Sequence, residues 1–347
     1  MDSYVEALLL EIELYKPLLA ATRIETVFFG GGTPSWLPSP LWEKIWRALS
    51  QLPTFFPIEV TLEANPEDIS AEKLHFWKDL GITRISVGIQ SFSEKVLQRL
   101  GRWHTPNQAR QATELIARAG FPSWNADIIF AVPEQTVSDL AEDLQYLVEL
   151  GVPHLSLYGL TIEKGTALYK KYKRKMFEPV EDDIYTEQYL FIHDFLEKRG
   201  FIWYEISNWA QHGHECQHNW RYWLRRPYLG LGPSAHSYIP EVRWANIRHL
   251  PSYLLALKNQ GTRPWAMHEQ LSQQEVWEEI WLTFLRTRAG VPISFLSHAS
   301  TASLHPKLSE WTTKGWLSVQ NEKITISKQG ALIIDNIVKY ITNAYSE

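Results

Sequence analysis

Apolar and polar positions in the first half of the chain follow two alternating rhythms. Over 3–20 apolar and acidic residues mix at helical spacing, and Pro17 marks where that pattern is expected to stop. An apolar run at 24–29 then predicts a strand, and an amphipathic pattern at 41–49 predicts a helix. The pair recurs as strand 58–63 with helix 71–80. Strand 84–89 follows, with a helix running through residue 100 and another over 107–119. Strand 125–130, helix 137–150 and strand 154–158 complete the series. Strands alternating with helices of about 10–15 residues predict right-handed βαβ units and a parallel sheet, of a kind that can close into an α/β barrel.

After about residue 170 the rhythm fades. A helix over 184–198 precedes 204–209, which reads as a strand running into a loop. Residues 212–238 are dense in aromatic and polar side chains, and glycines and prolines at 227, 230, 232 and 233 predict an ordered loop there. Helical spacing returns at 275–287, followed by a short strand at 323–326 and a last helix from about 331. The expected organisation is a parallel α/β barrel-like unit over 1–170, an extension over 171–268 and a winged-helix-like α+β domain over 269–347.

The strand at 24–29 runs straight into Gly30-Gly31-Gly32-Thr33-Pro34. Glycine permits positive φ and close approach of the backbone to a ligand, and the proline turns the chain toward the next helix. The spacing matches neither the dinucleotide fingerprint nor the phosphate loop ending in Gly-Lys-Ser/Thr. The successive strands end near Gly30 to Thr33, Glu63, Gln90, Asp127 and Thr161. A polar residue closing one strand is commonplace. Five in succession, on a fold whose strand ends converge on one rim, mark a candidate site.

Composition narrows the function classes. A formal charge of −5 offers no basic footprint for nucleic acid. No apolar run is long enough to cross a bilayer and nothing resembles a signal peptide, so cytoplasmic residence is expected. The single cysteine, Cys216, excludes an internal disulfide framework and any CxxC metal site. Sixteen tryptophans suit core packing and also a pocket for a large flat ligand. The basic run at 170–175 reads as a solvated helix face.

Taken together, these motifs resemble the HemN/HemW branch of the radical S-adenosylmethionine (SAM) enzymes, over nearly the whole chain. Phe29 to Pro34 is similar to that family's glycine motif, whose backbone meets the amino end of SAM, which implies roles for Gly31, Gly32 and Thr33. Glu63, in Leu-Glu-Ala-Asn-Pro, matches the family's acidic residue near SAM. Gln90 lies in a further family motif, and Arg102 and Asp127 stand where relatives line the SAM site. The stretch from Asp127 to Thr136 is similar to Asp-Leu-Ile-x-Gly-Leu-Pro-x-Gln-Thr, with Ala131 in place of the glycine. His218-Asn219-Trp220-Arg221-Tyr222-Trp223 matches His-Asn-x-x-Tyr-Trp, a pattern linked to heme binding among the heme chaperones of the branch. The resemblance thus implies SAM and heme as ligands, and an unidentified heme-acceptor protein as partner, with transient association at a membrane open to it. The alternative it implies is an oxygen-independent coproporphyrinogen III oxidase, which would cleave SAM to a radical.

The chain departs from the family at one point. Relatives hold a 4Fe–4S cluster on Cys-x-x-x-Cys-x-x-Cys, after the first barrel strand, and thiolates are the ligands for such clusters. This sequence has neither that strand nor those cysteines, so the resemblance implies an incomplete barrel over 1–170 that holds no cluster as written, with a shortened sequence expected and a form that has lost the cluster as the alternative. From chemistry alone, each candidate also has an ordinary reading. Glu63 would serve as a turn carboxylate, and Arg102 as a cation offsetting a helix dipole. His218 would serve as a satisfied core histidine, although imidazole is also a standard heme-iron ligand. Cys216 and His236 are weaker candidates.

Overall fold

The strands of the first half present a different face on each side. In the computed structural model, which describes residues 1–298 and 301–346, five of them pair in parallel in chain order. They are β1 (Ile24–Phe29), β2 (Phe55–Ala64), β3 (Arg84–Gln90), β4 (Ser123–Phe130) and β5 (His154–Gly159). Val60, Leu62, Ile85, Val87, Ala126, Ile128 and Leu155 share one core with Trp77, Ile116 and Leu144 of the surrounding helices. The alternate residues Glu59, Thr61, Arg84, Ser86, Asn125, His154 and Ser156 are equally buried, yet polar. Side chains alternate across a strand, so helices cover one face of the sheet and a polar interior lines the other.

The polar face is concave, because one helix reaches it from both ends of the parallel series. In the helix Gln217–Trp223, His218 bonds Thr26 of β1. The backbone N–H of Cys216, just before that helix, donates to the Tyr204 hydroxyl, which in turn bonds His154 of β5. The sheet curls around this helix to form a half-barrel. Past β5 it continues antiparallel, with β6 (Ile202–Glu205) and β7 (Asn208–Ala210) in the order β5-β7-β6.

Three expectations need correction. Residues 204–209 do not run from a strand into a loop: they span the turn of the β6–β7 hairpin. Part of the presumed loop over 212–238 is the helix Gln217–Trp223, whose N-terminus a buried carboxylate caps, as described below. The first helix, Asp2–Ala21, continues through Pro17. Proline there removes one N–H bond in the last turns, and packing of Val5, Leu8 and Ile12 against Leu41 and Ile45 holds the helix regardless.

Beyond the half-barrel lies an antiparallel sheet of β8 (His236–Ile239), β9 (Val242–Asn246) and β10 (Trp265–Gln270). Glu11 of the first helix, fully buried, fastens it by accepting bonds from the Gly232 N–H, the Asn246 amide and the Tyr253 hydroxyl, at 2.8, 2.6 and 2.6 Å. The C-terminal part pairs β11 (Val291–Pro292), β12 (Leu317–Gln320) and β13 (Lys323–Ile326) and packs helices on them. Trp277, Trp281, Ile324 and Ile337 form a core separate from that of the barrel, and Trp203 and Ile206 pack against both. Glu279 of this C-terminal part forms ion pairs with Arg225 and with Arg243 of β9.

Candidate functional site

The glycine loop after β1 is shaped by Glu63 at the end of β2. A Cβ on Gly30 would stand 2.8 Å from the Glu63 carboxyl and 2.6 Å from the Phe28 ring, so any side chain there would displace one of them. Gly31 has φ +96°, and its N–H donates to the Glu63 carboxylate at 3.0 Å. A Cβ on Gly31 or on Gly32 would meet nothing within 4 Å, so that side of the loop is open. Among the described residues no cation pairs with Glu63. Its burial, only partly offset by the Gly31 N–H, raises its pKa. Ser35 locks the far side of the loop by donating to Asp68 at 2.6 Å.

Asp127 lies on the polar face two strands away. It accepts from the Asn125 amide at 2.7 Å, and Asn125 also donates to Ser86 at 2.8 Å. Burial pushes the Asp127 carboxyl up to about 6. Bonds from Asn125 and Ser156 oppose that rise, and the neighbouring Glu63 charge adds to it. Gln90, at the end of β3, sits at φ +68°, an αL position uncommon for a residue with a side chain. The loop that follows is held from below by Asp143, which accepts from the Ser91 hydroxyl at 2.5 Å and the Phe92 N–H at 3.0 Å. Arg102 is exposed at the rim and has no ion pair among the described residues, and Glu67 and Asp127 are the anions whose fields reach it. Glu63, Gln90, Arg102 and Asp127 therefore gather with Gly31, Gly32 and Thr33 at one end of the half-barrel. Thr161 stays outside, exposed, with its hydroxyl on the Gly159 carbonyl.

An unpaired carboxylate and an unpaired guanidinium beside an open glycine loop suit the ammonium and carboxylate of an amino-acid ligand. Below them the Thr61 hydroxyl is buried without a partner. The residues present do not fit an iron–sulfur cluster. Cys216 is buried and its thiol donates to Glu59, with burial pushing it up to about 11. Among the described residues no cluster of three His, Cys, Asp or Glu side chains could hold a metal ion.

A cavity of about 490 Å³ opens beside this rim. Its walls include Tyr158 of β5, Glu205 of β6, Asn219, Tyr222 and Trp223 of the helix Gln217–Trp223, then Arg225, Tyr238 and Arg243. Tyr158 and Tyr222 retain 44% and 43% exposure, yet burial dominates in raising both phenols, as expected for side chains on a concave wall. The Asp127 charge also raises Tyr158, and the Glu63 charge contributes to Tyr222, which is pushed up to about 12. The rim and the cavity are electrostatic neighbours. Glu205, 2% exposed, rises to about 7 through burial despite the Ser207 N–H it accepts.

His218 is 9% exposed and is absent from the cavity lining. Its Nδ1 bonds the Thr26 hydroxyl and its Nε2 the Tyr222 hydroxyl, both at 2.8 Å, and its ring stacks on Phe28. Burial, together with the Arg221 charge, lowers its pKa to about 4, so the ring is neutral. The first turn of its helix is fixed by Glu59, which accepts the Gln217 and His218 N–H groups at 2.9 Å each. His236 is exposed at the start of β8. Sequence reasoning missed Glu59, Asp143, Tyr158 and Glu205. The signal for the interior residues was available, since Glu59, Thr61 and Glu63, like Asn125 and Asp127, place polar groups at every second position of otherwise apolar strands.

Residues 5–147 match the radical SAM superfamily. The chain is 35% identical to the heme chaperone HemW of Mycobacterium tuberculosis, over 97% of this chain and 86% of that one. It is 30% identical to the heme chaperone HemW of Escherichia coli, over 97% and 89%. The solved structure of the Escherichia coli coproporphyrinogen III oxidase HemN, a radical SAM enzyme, superposes with a TM-score of 0.81 at 21% identity, covering 98% of this chain and 83% of that one.

Proposed function

The chain belongs to the radical SAM superfamily, in the family of the heme chaperone HemW, and on that premise we propose that it binds heme and passes it to an acceptor protein. The observation that carries this reading is the adjacency of two unlike sites. One is a rim with an unpaired carboxylate and an unpaired guanidinium, and the other is an aromatic cavity of about 490 Å³ with arginines in its wall. Ligand pockets of roughly 300–1,000 Å³ take molecules of drug or cofactor size, and porphyrin is a flat apolar ring with carboxylate arms. Tyrosine and tryptophan faces suit the ring, and Arg225 and Arg243, which pair with Glu279 on the same wall, would take the arms by exchanging that partner.

SAM is assigned to the rim. Glu63 would take its ammonium group, Arg102 its carboxylate and the open backbone at Gly31 to Thr33 its amino-acid end, with Gln90 and Asp127 completing the enclosure. When bound, SAM supplies a sulfonium whose methionyl end these charges orient. With a single cysteine, this chain does not supply the thiolates that an iron–sulfur cluster needs. That same fact gives the oxidase alternative no support from the residues present. Among the described residues no helix is long and apolar enough to cross a membrane.

The test is a heme titration of the purified protein followed by its Soret band, with a far-UV spectrum taken in parallel and a decarboxylation assay on coproporphyrinogen III. Saturable heme binding without decarboxylation is expected. A folded protein that binds no heme, or one that decarboxylates, would overturn the reading.

A further inference from the structure

The helix Gln217–Trp223 presents two different side chains to its two surroundings. His218 faces the barrel interior with both ring nitrogens engaged, and Tyr222, one turn later, lines the cavity. The link between them is the 2.8 Å bond from His218 Nε2 to the Tyr222 hydroxyl. Residues four apart stand on one helix face, so the helix itself builds this pair. For His218 to reach iron directly, it would have to leave Thr26, Tyr222 and its stack on Phe28. Tyr222 already lines the cavity.

We propose that the iron of bound ferric heme is ligated by the Tyr222 phenolate oxygen, and that His218 is the positioning residue behind it. This rests on the heme reading above. Anionic oxygen is a hard donor suited to iron in the ferric state, and tyrosine is a known axial ligand of haem iron. Ligation breaks the Tyr222 O–H bond and forms an O–Fe bond, and the proton leaves to solvent through the half-exposed cavity face. The iron stays ferric and nothing is oxidised or reduced. His218 in its Nε2–H tautomer donates to the phenolate oxygen, and the Thr26 hydroxyl then donates to Nδ1. A hydroxyl can donate or accept, so Thr26 supports this tautomer without moving. Groups that orient a ligating side chain in this way set its direction and its basicity.

The experiment loads the full chain with ferric heme and reads its absorption, electron paramagnetic resonance and resonance Raman spectra. The wild-type complex should show a high-spin ferric signal and iron–phenolate vibrations, a measurement that requires no variant. Tyr222→Phe should lose the phenolate signature. His218→Ala should keep that signature while heme affinity falls roughly ten- to hundredfold, and His218→Gln, whose amide can donate to the same oxygen, should recover part of the loss. A wild-type complex without phenolate vibrations, or a Tyr222→Phe spectrum identical to wild type, overturns the inference and leaves the heme reading standing. A folded wild-type chain with no Soret band overturns both.

Discussion

Gly30 and Glu63 are packed so closely that a Cβ on the glycine would lie 2.8 Å from the glutamate carboxyl. The contact holds a desolvated carboxylate at the end of β2 with one N–H bond and, among the described residues, no cation. An ion held in this way destabilises the free protein, and a cationic ligand relieves it. Stability and binding therefore pull in opposite directions at this residue.

Glu63→Gln should weaken SAM binding roughly ten- to hundredfold, the range expected for a lost bond to a charged group. Without SAM, the same variant should be as stable as wild type or more stable by about 1 kcal/mol. Calorimetric titration and urea unfolding measure the two effects. A less stable variant with unchanged SAM affinity would mean that Glu63 has a purely structural role.

The second prediction concerns pH. Asp127 and Asp143 each rise to about 6 from an ordinary 3.8, chiefly through burial. An acid whose folded pKa is raised binds more protons folded than unfolded between those values, so its contribution to stability falls as pH rises from about 4 to 6. His193, lowered to about 3 mainly by burial, works the other way, and stability rises with pH from about 3 to 6.5 on its account. These slopes partly cancel in the wild type and separate in variants. Between pH 4 and 7 the stability of Asp143→Asn relative to wild type should improve on the order of 3 kcal/mol. A flat difference across that range would show that Asp143 is ionised throughout.

Ala131 occupies an αL position at φ +58°, and its N–H is tied to Gln188 at 2.8 Å. A residue with a Cβ is strained there by about 1–2 kcal/mol, and glycine gives part of that back through its greater freedom when unfolded. Ala131→Gly should raise stability by about 0.5–1 kcal/mol, read from the urea midpoint. A loss instead would show that packing of the buried methyl outweighs the backbone strain.

The fourth prediction is chemical. The 347-residue chain, incubated with iron and sulfide under reducing conditions, should not hold a 4Fe–4S cluster at stoichiometric yield, because its one thiol is buried against Glu59. Iron and sulfide analysis together with the visible spectrum measures this. About four irons per chain with a brown chromophore would show that other side chains serve as ligands.

The elements most legible in the sequence were those whose ends have a local cause. The strand 24–29 was delimited by its own glycines. The helix 71–80 is bounded by Ser70, which accepts the Lys73 N–H, and by Gly81 at φ +107°. The rim residues were legible because strand ends on this topology converge. The inside of the barrel is visible in the sequence only as polar alternation, which resembles a solvent-facing pattern until curvature is known. Arg84, Asn125 and His154 became interior residues only through the helix that the sheet wraps. That helix was itself hidden, since its N-terminus is satisfied by a carboxylate far away in sequence, and nothing near Gln217 announces it.

The same cap dictates when that helix can exist. At seven residues it is too short to persist alone, and the acceptor for its first N–H groups lies 158 and 159 residues earlier in the chain. Loop closure over such a span comes late in folding. Tyr222 and His218 are therefore expected to come together only after β2 is paired and the sheet has curled. An unfinished chain offers no ready trap for a stray porphyrin, and a peptide cut from this stretch would not inherit the pair.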